Sequence, residues 1–131
     1  MSKEQVAQNQ EFGAFLMIPH VYIDKFMPGL LESEFRVLLL ILRQTIGWVD
    51  REGHTGRKER DWISMGQFAQ KTGLHRESIG RAVQSLIDLG LIRVESATGV
   101  PLSTPLLRKQ HNSRLYYRLA NLSGIAETVR S

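Results

Sequence analysis

Between residues 33 and 47 the apolar positions Phe35, Leu38, Leu39, Leu42 and Ile46 recur every three or four residues, which lays them along one face of a helix. Ser33 stands where an N-cap is wanted, Glu34 suits the positive end of the helix dipole, and Gly47 is placed as the stop. The same period returns from about Arg76 to Leu89: Ile79, Val83, Leu86 and Ile87 form an inner stripe and Gly90 ends it. Between these two helices, Ser64 followed by Gln67 is a reciprocal capping pair that predicts a shorter helix, about Met65 to Lys71, burying Phe68. Thr72-Gly73-Leu74 then joins the second and third helices as a tight turn. Alternation replaces helical periodicity at Leu91–Glu95 and Arg114–Leu119, which predicts two strands paired as a hairpin. Asp61-Trp62-Ile63 reads as a further short strand. Upstream, Phe15–Ile18 is a brief extended run, and Pro19 suits the first turn of a short helix carrying Val21, Tyr22 and Phe26 until Pro28-Gly29 stops it.

These elements divide the chain into a flexible N-terminal segment at 1–14, one domain at 15–120, and a tail or short helix at 121–131 with Leu122, Ile125, Ala126 and Val129 on one side. The segment 50–61, which has no apolar anchor, and the low-hydrophobicity segment 96–113, which carries Pro101 and Pro105, read as surface loops. The predicted class is α+β, mainly helical, in the order of a winged helix–turn–helix with a two-stranded wing.

Composition narrows the chemistry. At 131 residues and 42% hydrophobic the chain is sized for one domain with a sizeable core. With no cysteine, disulfides, thiolate catalysis and cysteine-bound metal are excluded. The oiliest run, Val37–Leu42, is bounded by Arg36 and Arg43 and is far shorter than the roughly 20 apolar residues that span a bilayer. The first residues lack an apolar signal-peptide centre, so a soluble, cytoplasmic protein without membrane contact is expected. His20, His54, His75 and His111 are too scattered for a metal motif, and no HExxH, phosphate-cradling GxxxxGK[ST] or GxSxG occurs. Neither an enzyme nor a cofactor or metal requirement is predicted.

Charge points elsewhere. The net charge of +4 is uneven: −2 over residues 1–50, +5 over 51–114 and +1 over 115–131. An arginine-rich middle suggests a polyanionic partner. If Ile79, Val83 and Leu86 face the core, Glu77, Arg81, Gln84 and Asp88 project the other way, and Arg76 sits at the helix N-terminus. Arginine can grip guanine O6 and N7, glutamine can pair with adenine, and glutamate can accept from cytosine. Gly80, unfavourable in mid-helix by about 1 kcal/mol relative to alanine, suits a close approach to a phosphate or to the preceding helix. The predicted base-reading set is therefore His75, Arg76, Glu77, Gly80, Arg81 and Gln84. The predicted phosphate or wing set is Ser64, Arg57, Lys58, Arg60, Arg108, Lys109, His111 and Arg114. Trp48, Trp62, Tyr116 and Tyr117 serve either base stacking or packing of the hairpin.

The string from Ile63-Ser64-Met65-Gly66-Gln67-Phe68-Ala69 to Thr72-Gly73-Leu74, followed by Arg76, Ile79, Arg81-Ala82-Val83, Leu86 and Leu89-Gly90-Leu91-Ile92, resembles winged-helix DNA-binding domains, MarR-type and GntR-type regulators among them. With Ile18-Pro19, Phe35-Arg36-Val37-Leu38-Leu39, Arg43-Gln44-Thr45-Ile46-Gly47-Trp48 and Trp62-Ile63-Ser64, about residues 15–95 look like the N-terminal domain of phage replication protein O and related plasmid initiators. His75 departs from the serine usual at that cap. The resemblance implies binding of double-stranded DNA at a replication origin, with a helicase or helicase loader as a second partner. Two other readings stay open. One is a small winged-helix transcriptional regulator, a homodimer through Leu122–Val129. The other is a protein-docking winged helix that uses Leu106 and Leu107 to recruit replication machinery.

Overall fold

The computed structural model describes residues 15–49 and 58–120, the side chains of Trp48 and Val49 excepted. Strand β1 (Phe15–Leu16) pairs antiparallel with β2 (Trp48–Val49), a pairing the sequence pattern does not predict. Between them lie α1 (Tyr22–Phe26), wound as a π-helix, a tight turn at Met27–Gly29, and the central helix α2 (Glu32–Gln44). There follow β3 (Arg60–Trp62), α3 (Met65–Thr72), α4 (Arg76–Asp88), β4 (Ile92–Glu95), α5 (Pro105–Gln110) and β5 (Tyr116–Leu119).

Helix α2 is the hub because its apolar stripe is wide enough to serve several neighbours. Val37, Leu38, Ile41 and Leu42 are fully buried, and α2 packs on α4, α3 and β5. Its start is not capped by Ser33. The cap position is Leu31, which has no side-chain acceptor, and the Glu34 carboxylate supplies one by accepting the Leu31 N–H at 2.8 Å. Glu34 is 1% exposed, so this acid is part of the core's edge rather than of the solvated surface.

The sheet differs from the two-stranded wing expected. β4 and β5 do pair, but β3 pairs with the other edge of β5, giving a three-stranded antiparallel sheet in the order β3-β5-β4. In register, Asp61, Tyr117 and Val94 form one row, and the Tyr117 ring stands edge-on to Phe68 of α3 at 5.0 Å. Burial pushes the Tyr117 hydroxyl up to about 12 against the opposing effect of Arg108, so it stays neutral at any working pH. Tyr117 is therefore a packing residue and not a base-stacking one. The segment 96–113 is not a plain loop. Ser96 and Val100 close a small turn, Leu102 donates its N–H to the Val94 carbonyl, and α5 follows. The hydroxyl of Thr104 accepts the Leu107 N–H at 3.2 Å, and Pro105 occupies the first turn, where a missing N–H costs nothing.

Among the described residues no helix is long and apolar enough to cross a membrane, and no three His, Asp or Glu side chains gather as a metal site. Arg57 and the expected helix Leu122–Val129 lie outside the described residues.

Candidate nucleic-acid interface

Helices α3 and α4 are set against each other by a turn held at both ends by hydrogen bonds. Ser64 caps α3 as the sequence predicts: its Oγ accepts the Gln67 N–H at 3.1 Å while the Gln67 side chain accepts the Ser64 N–H at 2.9 Å. At the other end Gly73 takes φ +75°, a left-handed conformation that side-chain-bearing residues rarely adopt, and donates to the Ala69 carbonyl. The Thr72 hydroxyl donates to the Phe68 carbonyl and accepts the Leu74 N–H, and the Arg36 guanidinium reaches from α2 to the Thr72 carbonyl at 3.0 Å. The entry angle of α4 is thereby fixed.

Helix α4 buries Ile79, Ala82, Val83 and Leu86. Glu77, Arg81, Gln84 and Asp88 take the opposite side, with Arg76 and Gly80 beside them. His75 stands at the N-cap, and its imidazole makes no capping hydrogen bond. Arg76, Glu77 and Arg81 are exposed, and among the described residues neither arginine has a hydrogen-bond or ion-pair partner.

Gln84 belongs to a different arrangement. Its amide nitrogen donates to Asp88 Oδ1 at 2.8 Å and to the Ser103 carbonyl at 3.1 Å, and its Oε1 accepts Arg108 Nη2 at 2.8 Å. Arg108 Nη1 donates in turn to the Leu102 carbonyl at 3.1 Å. Burial lowers the pKa of this guanidinium, with Tyr117 and Asp88 opposing the shift. Gln84 and Arg108, expected to read a base and to hold a phosphate, are instead each other's partners and fasten α5 against the C-terminal half of α4. Replacing Gln84 with alanine leaves a half-buried guanidinium nitrogen unpaired, so the Gln84→Ala protein is expected to lose about 1–3 kcal/mol in urea unfolding.

The other predicted phosphate contacts separate in the same way. Arg60 leans over the Tyr116 ring at 4.7 Å and donates to Glu95 Oε1 and to the Ser96 and Ala97 carbonyls, a strut between β3 and the turn after β4. The Arg114 guanidinium lies 4.2 Å over the Trp62 ring. Lys58 is exposed with its ammonium 3.7 Å from Asp61. Lys109 is exposed without a partner among the described residues, and His111 is half-buried with Nε2 unpartnered. Ser64 is committed to its cap but remains at the surface.

Gly80 is not explained by packing on the preceding helix: a Cβ added there would meet nothing within 4 Å. Gly80→Ala is expected to raise stability by about 1 kcal/mol, read as a higher urea midpoint at unchanged slope. What survives as an open reading surface is His75, Arg76, Glu77, Gly80 and Arg81. The sequence pattern missed Arg93, exposed on β4, and the helical form of α5, on which Leu106 and Leu107, already singled out for docking, are exposed. Thr104-Pro105 was the signal for α5, a capping residue followed by proline. Comparison of the chain with family models, with curated proteins and with solved structures finds no match, so the chemistry of this surface stands on its own residues.

Proposed function

We propose that the chain is a winged helix–turn–helix protein that binds double-stranded DNA sequence-specifically, with the N-terminal half of α4 in the major groove. The observation that carries this reading is the pair of exposed arginines without partners, Arg76 and Arg81, flanking Glu77 on the side of α4 opposite its buried stripe. Helix–turn–helix proteins meet base edges with the first residues of the second helix, and arginine is the commonest reader of guanine. A surface needing only solubility gains nothing from leaving two forked donors open beside an acceptor. Lys109, and Lys58 at the opposite loop, supply positioning contacts to phosphate. Origin recognition in phage or plasmid replication is the setting favoured by the resemblance over about residues 15–95.

Selection of bound duplexes from a random library tests the proposal. Wild-type protein is expected to enrich a defined motif that the Arg76→Ala/Arg81→Ala protein does not. Tandem copies of the motif fit origin binding, and an inverted repeat fits a dimeric regulator. Failure to retain any duplex would remove the reading.

A further inference from the structure

The sheet has a second face, and it carries a different chemistry. Its inner row of Val94, Tyr117 and Asp61 turns toward the helices. Because neighbours on a strand point to opposite sides, the rows on either side of it share the outer face. One is Arg93, Arg118 and Arg60, in register across all three strands; the other is Glu95, Tyr116 and Trp62. Arg114 joins them by stacking on Trp62. Four arginines thus meet two aromatic rings and a single acid. Glu95 Oε1 lies 3.0 Å from Arg60 and 3.9 Å from Arg118, and its side chain is only 14% exposed, so it is already spent on those two. Arg93 and Arg114 are exposed and have no acidic partner among the described residues.

A sheet face needing only cover has no use for three arginines side by side with one acid between them, since like charges across a strand pair are unfavourable. An anionic chain laid across the face would relieve them. The rings and the flat guanidinium groups add what a phosphate backbone alone does not require: surfaces on which unpaired bases stack. Duplex DNA hides its base faces, whereas a single strand offers them.

We infer that this outer sheet face is a second nucleic-acid site, one that takes single-stranded DNA. Arg93 and Arg118 follow the backbone, and Trp62 and Tyr116, with the guanidinium planes of Arg114 and Arg60 over them, stack the bases. The site is built from the sheet and not from α4, so it stands apart from the duplex-binding reading.

The test uses a fluorescein-labelled oligothymidylate of about 12 nucleotides, within the span that small single-strand sites cover. Wild-type and Arg76→Ala/Arg81→Ala proteins are expected to bind it equally in polarisation titrations, while Arg93→Glu/Arg114→Glu loses at least about tenfold in affinity. Both charge-reversed positions are exposed, and an unchanged far-ultraviolet circular dichroism spectrum is expected to show the variant folded. In a Trp48→Phe background, which leaves Trp62 as the remaining tryptophan, unlabelled oligothymidylate is expected to quench the emission. The inference is overturned by any of four results: no binding of the wild type, unchanged Trp62 emission at saturation, unaltered affinity of the charge-reversed protein, or equal loss in the α4 variant. Oligouridylate binding tenfold tighter than oligothymidylate would likewise overturn the assignment to DNA. Duplex selection that fails while these results hold would remove the α4 reading and leave this one standing.

Discussion

Phe68→Ala is expected to cost roughly 3–5 kcal/mol, the largest single effect in the domain. Phe68 is fully buried and meets the Tyr117 ring edge-on at 5.0 Å, so truncation removes both its apolar burial and a favourable ring geometry. Phe68 and Thr72 are the buried residues of helix α3, and Met65 and Ala69 pack only partly against the core. The loss therefore falls on the element that fixes the turn into α4. With total stabilities of small domains about 5–15 kcal/mol, much of the margin would go. Urea unfolding followed by far-ultraviolet circular dichroism checks it, with Leu107→Ala as the control. Leu107 is 42% exposed, and its truncation is expected to change stability by about 0.5 kcal/mol or less.

The second large effect concerns binding. On a duplex carrying the enriched motif, Arg76→Ala and Arg81→Ala are each expected to cost about 1–3 kcal/mol and to relax preference at one base pair. Lys109→Ala is expected to weaken binding to all duplexes alike and to reduce the slope of log affinity against log salt by about 1. Arg108→Ala should behave differently from both, because its guanidinium is bonded to Gln84 and to the Leu102 carbonyl. Its effect is expected in unfolding first and in binding only as α5 loosens. Titrations of a labelled duplex at several salt concentrations separate the three patterns.

The contrast between Arg81 and Arg108 shows how far the amino-acid sequence carries the argument. The stripe of Ile79, Val83 and Leu86 already says which way α4 faces, and Ser64, Gln67 and Gly73 already bound the turn before it. These signals are local, and each has one physical reading. Whether an arginine is open or spent depends on what the chain brings near it from elsewhere. Arg108 meets Gln84 from 24 positions away, and Arg60 meets Glu95 from 35. Arginines at positions 60, 81 and 108 look alike as letters, yet two are struts and one is free. The sequence marks a short strand at Asp61-Trp62-Ile63 but not its place in the sheet, for the same reason. Arg60-Asp61-Trp62 has no apolar alternation, and its pairing partner is Tyr116–Arg118, near the far end of the domain. Helix α5 is a different case, because Thr104 and Pro105 mark its start locally and only its brevity hides it.

The central claim is that the open side of α4 is the part that touches duplex DNA. Amide chemical shifts of ¹⁵N-labelled protein, followed as the selected duplex is added, test it without altering a residue. The largest changes are expected at His75, Arg76, Glu77, Gly80 and Arg81, with Lys109 following and the α1 amides, Tyr22 to Phe26, unmoved. Changes centred elsewhere, with the first two turns of α4 silent, would contradict the account.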